Sequence, residues 1–201
     1  MKNNILDKCM KIIKENKDYN DTKLEEIRYG LEGIYLLINK LIIIILISII
    51  LNIFKEMIIF LLIFNIIRLT AFGLHATKSW ICLISSTLAF IGIPLLMINV
   101  HLSTNLKLII GIISTIHIFI FSPSDTHKRP IINKKRRRIY KLLSTTISII
   151  YIILSLNIKN NYISNCLIFS TLLENILISP LTYKLFKLPY NNYKNYKLGL
   201  N

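Results

Sequence analysis

Charge is scarce in this sequence, and what there is leans to one sign. Charged residues make up 17% of the 201 residues, against about 25% in a soluble domain. Only 10 are acidic, against 25 Lys and Arg. The 3 cysteines, Cys9, Cys82 and Cys166, are too few and too far apart for a disulfide framework, and no pair has metal-ligand spacing. No metal or other cofactor is therefore expected. The 6 glycines are scattered, which excludes a glycine-rich phosphate loop. The first 33 residues hold no apolar run of the length a secretory signal needs, so none is expected. The alternating strands of an outer-membrane barrel are missing too, since the apolar runs are continuous and long.

What fills the chain instead is Ile, Leu, Phe, Ser and Asn. Hydrophobic residues reach 53%, and the mean hydropathy is +0.55. The charges sit in islands. Eight Lys and Arg lie in residues 1–40, eight in 128–141 and four in 184–197, while seven acids lie in the first 32 residues. A chain built this way is a polytopic all-α membrane protein whose net charge of +15 is carried by its water-facing parts. Positive-inside topology explains the basic balance more simply than nucleic-acid binding does, so no nucleic-acid partner is expected.

Six transmembrane helices are expected, over 34–54, 57–74, 80–100, 106–122, 142–158 and 162–181, the third bent near Gly92 and Pro94. Residues 1–33 read as cytoplasmic amphipathic helices. Leu24, Ile27, Leu31, Ile34 and Ile38 share one face, as do Ile5, Cys9, Ile12 and Ile13, and a break falls between Asn16 and Thr22. Three regions follow: 1–33, a six-helix domain over 34–182, and a basic cytoplasmic tail over 183–201. Segments outside the spans hold 8, 1, 2, 1, 8, 1 and 4 Lys plus Arg in chain order. That alternation places both termini in the cytoplasm. A polar and then basic loop runs from Ser122-Pro123 to Lys141.

Under this topology the stretch from Arg68 to Cys82 turns around at the cytoplasmic face. Thr77 or Ser79 is a candidate N-cap for the third span. If Ser79 caps, Cys82 is the third helical residue, where the helix dipole and unpaired backbone N–H groups favour a thiolate. Gly73 supplies a flexible joint ahead of His75. A Cys at a helix N-terminus with a His close by is the arrangement that activates a thiol nucleophile. On one straight helix, seven residues would hold the two about 10.5 Å apart. They can meet only if the helix begins after His75 and the preceding turn folds back. The bland reading is a solvent-facing histidine and a small buried thiol.

These residues resemble the accessory gene regulator protein B (AgrB) family, membrane peptidases that process quorum-sensing propeptides. The family pattern is an Arg, a small-residue pair, His-Ala, and a Cys seven residues after the His. Here it reads Arg68, Phe72-Gly73, His75-Ala76 and Cys82, with Phe72 in place of the usual first glycine. A second match is Ser122-Pro123-Ser124-Asp125-Thr126 followed by Lys128-Arg129-Pro130-Ile131, with Arg129 in place of a lysine. The resemblance implies that His75 is the general base and Cys82 the nucleophile of a cysteine endopeptidase in the bacterial cytoplasmic membrane. That enzyme would remove the C-terminal tail of a small amphipathic propeptide, hold the rest as a thioester, and pass it on to form a cyclic thiolactone or lactone. A homodimer in contact with membrane lipids is implied as well.

Other polar residues carry open readings. Arg68 and Glu174, at similar depth in spans two and six, either pair across the bundle or act separately, Arg68 by snorkelling or by binding propeptide carboxylates. His117 either supports the site or makes an interhelical hydrogen bond. Asp125 either orients His75 or caps a turn after Pro123. The Lys134–Arg138 run marks a cytoplasmic segment beside anionic lipid, or attracts an acidic substrate tail. The rival function is a small transporter that uses Arg68, His117 and Glu174, although the internal repeat common in transporters is not visible between the two halves.

Overall fold

The computed structural model describes residues 2–16, 19–74, 78–126 and 130–195. Two compact units divide the chain, Met1–Ile50 and Leu51–Asn201. The regular elements among the described residues are all helices, and an isolated parallel bridge joins Phe72 and Ser124.

The first unit is a pair of helices. α1 spans Lys2–Asn16 and α2 spans Asp21–Ile50. The connection falls within 16–22, where the apolar period lapses. Asn20 accepts a hydrogen bond from the Lys23 backbone N–H at 3.0 Å and so starts α2. The amphipathic segment and the first apolar run are thus one helix of 30 residues. Nothing in the sequence between them, neither a Pro nor a cluster of turn residues, would interrupt it.

The second unit is a bundle. α3 spans Phe54–Ala71, so Lys55 and Glu56 lie in its first turn rather than in the connection before it. α4 (Ser79–Thr87) and α5 (Ile93–Asn99) are joined by a π-helical turn at Leu88–Gly92, just ahead of Pro94. The bend expected at Gly92 and Pro94 is absorbed there, where the widened turn relieves the hydrogen bond that Pro94 cannot donate. α6 (Thr104–Phe121), α7 (Lys134–Asn157) and α8 (Asn161–Ile178) complete the bundle. Ser103, Asn133 and Asn160 cap them with side-chain oxygens on backbone N–H groups. The cap at Asn133 corrects the expected loop. It starts α7 eight residues before Leu142, and the Lys134–Arg138 run forms the first turns of a helix. Lys and Arg are good helix formers, so a basic run after a capping Asn continues the helix instead of delaying it.

Four helical stretches are long and apolar enough to cross a membrane among the described residues: Asp21–Ile50, Ser79–Asn99, Thr104–Phe121 and Lys134–Asn157. Six were expected. The two that do not meet that measure, α3 and α8, have 18 residues each but carry Lys55, Glu56 and Arg68, or Asn165, Glu174 and Asn175. For α8, its position accounts for the difference. α8 packs on α3, α6 and α7, and it buries Asn165, Cys166, Ile168, Thr171, Glu174 and Ile178 almost completely. A helix sheathed by other helices has no need to be apolar all round. The outward faces of α4 to α7 do, and Leu88, Leu96, Ile113, Ile120, Leu142 and Ile153 stand exposed.

Contacts inside the bundle are close and partly polar. Phe60, Phe64 and Phe90 cluster with ring centroids 5.6–6.3 Å apart. Gly111 lies so near α7 that an added Cβ would come within 2.6 Å of Ile152. Thr115 and Ser148 share a hydrogen bond at 2.7 Å, Ser122 and Ser144 another at 2.6 Å. Small and hydroxylated residues are what let helices approach in an environment where lipid competes for apolar contact.

Candidate functional site

α3 ends on the segment that leads to His75, and that segment is fixed from three directions. The Arg68 guanidinium donates to the carbonyls of Phe72, Gly73 (3.3 Å) and Leu74 (2.7 Å). From the loop after α6, Ser124 accepts from the Gly73 N–H at 2.8 Å and donates its own N–H to Ala71 at 3.0 Å. From the end of α8, the Leu177 carbonyl accepts from the Leu74 N–H at 2.8 Å. The Ser124 hydroxyl ties the loop to α8 by donating to Ile178 at 3.0 Å. Each backbone group of residues 72–74 named here is satisfied by a residue at least four positions away, so the turn is held by tertiary contacts, not by its own propensity.

Two residues take backbone shapes that the arrangement requires. Gly73 has φ +107, and a Cβ there would meet Arg68 Nη1 at 2.5 Å and the Leu177 oxygen at 2.8 Å. Its role is close approach rather than the flexibility expected of it. Phe72 has φ 60 and ψ −126, a region that glycine enters at no steric cost. That is a physical reason for a glycine in the corresponding family position. Here the ring of Phe72 packs edge-on to Tyr140 at 4.9 Å, and such a contact offsets part of the strain.

Arg68 also reaches across the bundle. Its Nη1 lies 3.4 Å from Glu174 Oε1, the carboxylate being fully buried on α8. Among the described residues Glu174 Oε2 has no hydrogen-bond partner. Five N–H donors in a fixed fork suit one guanidinium to both tasks, collecting carbonyls and meeting a carboxylate.

Cys82 lies in the first turn of α4, half-buried. Its N–H donates to Lys78 O at 3.1 Å, and Lys78 is the extended residue that precedes the helix. The helix thus begins one residue earlier than a Ser79 cap would give, and Cys82 is its fourth residue, not its third. The N–H groups of Ser79, Trp80 and Ile81 are the ones without an intrahelical acceptor. Ser79 is the first helical residue and makes no cap. His75 and Thr77 lie outside the described residues, as do His127, Lys128 and Arg129.

Asp125 lies inside the fold, 2% exposed. Its carboxylate accepts from the backbone N–H groups of Asn192 (3.0 Å), Tyr193 (3.0 Å) and Ile131 (3.3 Å), and from Arg137 Nη1 (3.4 Å). Its carbonyl accepts from the Tyr183 hydroxyl at 3.1 Å. Burial pushes the Tyr183 and Tyr190 phenols above their ordinary range. Four donors nearly exhaust a carboxylate. Asp125 therefore fastens the C-terminal segment, residues 180–195, to the loop that carries Ser124. The loop of Asp125 is legible in the sequence, but these partners are not. The tail's Tyr and Asn content offered a weak signal, since those side chains hydrogen-bond without adding charge. His117 lies tilted against Phe121, with ring centroids 4.5 Å apart, while its Nδ1 has no hydrogen-bond partner among the described residues.

The accessory gene regulator B family profile matches residues 6–178. This chain belongs to the AgrB family. An AgrB-like protein of Clostridium acetobutylicum is 30% identical over 98% of this chain and 96% of its own length. Another from Listeria monocytogenes serovar 1/2a is 29% identical over 86% of this chain and 84% of its own. Accessory gene regulator protein B of Staphylococcus aureus strain Newman is 32% identical over 75% of this chain and 82% of its own. No solved structure matches. The matched region contains the Arg68 turn, Cys82 and the Ser124 loop, and ends at Ile178 beside the Ser124 contact.

Proposed function

We propose that this AgrB-family protein is a cysteine endopeptidase of the bacterial cytoplasmic membrane that cuts a signalling propeptide and cyclises the product. In this reading α3 and α8 cross the membrane together with the four apolar stretches. The result is six spans with both termini and the 71–82 turn on the cytoplasmic side. The observation that carries the reading is the Arg68-locked turn, which runs directly into His75 and is followed by Cys82 in the first turn of the next helix. A general base needs a fixed approach to its nucleophile, and a turn tied to three separate elements provides one.

The chemistry proceeds in two acyl transfers. His75 takes the Cys82 thiol proton, and the thiolate attacks a carbonyl near the propeptide's C-terminus. The C–N bond breaks, and His75 returns the proton to the departing amine. The acyl group remains on Cys82 as a thioester. A thiol or hydroxyl within the peptide then attacks that carbonyl, closes the ring and restores the Cys82 thiol, so no external energy source is consumed. The partners of this reaction are the propeptide, membrane lipids and a second copy of the chain. A transporter would need Arg68 available to a solute, yet its fork is occupied by carbonyls and Glu174.

Cleavage of a co-expressed propeptide tests the assignment. Cys82→Ala, Cys82→Ser and His75→Ala should abolish it, while Cys9→Ser and Cys166→Ser should leave it intact. Cleavage by Cys82→Ala would refute the peptidase reading.

A further inference from the structure

A groove of about 370 Å³ opens between the end of α6, the start of α7 and the C-terminal segment. Its walls are basic. Arg137, Arg138 and Lys141 line it on α7, with Tyr190 and Tyr193 facing them and Phe121 at the end of α6. Arg137 is a fixed part of the wall, because it is held by Asp125 and by the Pro123 carbonyl at 3.2 Å, and it lies 3.5 Å over the Tyr193 ring. Arg138 and Lys141 differ. The ion pairs among the described residues leave both without a carboxylate. Two cations facing one concavity with no counter-charge repel each other unless an anion joins them.

What lies beside the groove identifies the anion. Lys141 Nζ sits 4.8 Å above the Phe119 ring, and Phe119, Ile116, Ile120 and Leu142 are all more than half exposed. The basic rim therefore stands at the head of an apolar stripe that descends α6 and α7. A ligand that satisfies both ends is an amphiphile with an anionic head and long apolar tails. A free phosphate would not cover the stripe, and neither would an acidic peptide that has no apolar face. We propose that this groove is a binding site for the phosphate of an anionic glycerophospholipid, with Arg138 and Lys141 on the phosphate oxygens and the acyl chains along α6 and α7. The proposal rests on the membrane-spanning helices and not on the Cys82 chemistry, so it stands or falls apart from it.

Native mass spectrometry of the full-length protein in detergent, titrated with phosphatidylglycerol or phosphatidylcholine, provides the test. Phosphatidylglycerol should be retained, and phosphatidylcholine should not. Removing both charges in Arg138→Ala/Lys141→Ala should weaken retention roughly 30-fold, at about 1 kcal/mol per basic residue at an anionic surface and 1.4 kcal/mol per tenfold. Lys134→Ala/Lys135→Ala, on the same helix but outside the groove, should retain the lipid as the native protein does. An equal loss in that variant would reduce the binding to diffuse charge and overturn the site. Displacement of the lipid by millimolar inorganic phosphate, or by a glutamate-rich peptide, would assign the groove to those anions and overturn it as well.

Discussion

Replacing Arg68 and Glu174 singly and together probes the brace behind the 71–74 turn. The two meet at 3.4 Å, with side-chain exposures of 18% and 0%. At an effective dielectric near 20, a pair at that distance attracts by about 5 kcal/mol, and much of this is offset by the cost of burying both charges. Taking away one partner of a buried pair typically costs about 3–5 kcal/mol. The structure makes the two losses unequal. Arg68→Ala strips Glu174 of its one partner among the described residues, and it also releases the Phe72, Gly73 and Leu74 carbonyls. It should lie at the upper end, about 4–5 kcal/mol. Glu174→Ala leaves a guanidinium that keeps those three carbonyls, so its loss should be nearer 1–3 kcal/mol. The double variant should lose less than the sum by about 1–3 kcal/mol, because neither charge remains uncompensated. Thermal unfolding of the four purified proteins in detergent, with propeptide cleavage measured in parallel, gives both quantities. Additive losses, or a Glu174→Ala loss as large as that of Arg68→Ala, would refute the brace.

Three further outcomes follow from the same geometry. Gly73→Ala drives a Cβ into Arg68 and Leu177 at a positive φ, so cleavage should fall by roughly 100-fold through misplacement of the turn; native rates would show that the turn tolerates displacement. Asp125→Asn keeps the shape but turns an N–H group toward backbone donors, at about 1–3 kcal/mol per donor left unsatisfied. Limited trypsin digestion should then trim the chain at Lys187 and Lys194 faster than in the native protein, and an unchanged rate would mean that Asp125 does not hold the tail. In a Cys9→Ser, Cys166→Ser background, a cysteine at Lys135 should be shielded from an impermeant thiol reagent in intact cells, and one at Asn161 should react. The reverse pattern would invert the topology.

Periodicity and charge made much of this architecture legible. The apolar runs and the irregular turn before Pro94 follow from local composition. Arg68, Gly73, Cys82 and Asp125 stand out in the chain because each is an unusual residue for its surroundings. What stayed hidden was pairing at a distance. Nothing in residues 68–74 announces that Leu177 will accept from Leu74, or that Ser124 will lie beside Phe72. The basic run looked like loop because charge was read as solvent, whereas Asn133 made it helix. Sequence alone suggests a flexible joint at Gly73, the commoner use of glycine, and the crowding by Arg68 cannot be inferred from the chain.

Because the turn before His75 is written in three places, it is not portable. A designer who exchanges residues 68–82 between two relatives transplants the guanidinium and the thiol but leaves behind Ser124, Glu174 and Leu177. The recipient's own versions of those positions then decide whether the graft settles into register. Chimeras that exchange 68–82, 122–125 and 174–178 as one set should inherit the donor's activity, and single-segment swaps should behave like lesions of Gly73. The braced turn is a unit of space, not of sequence.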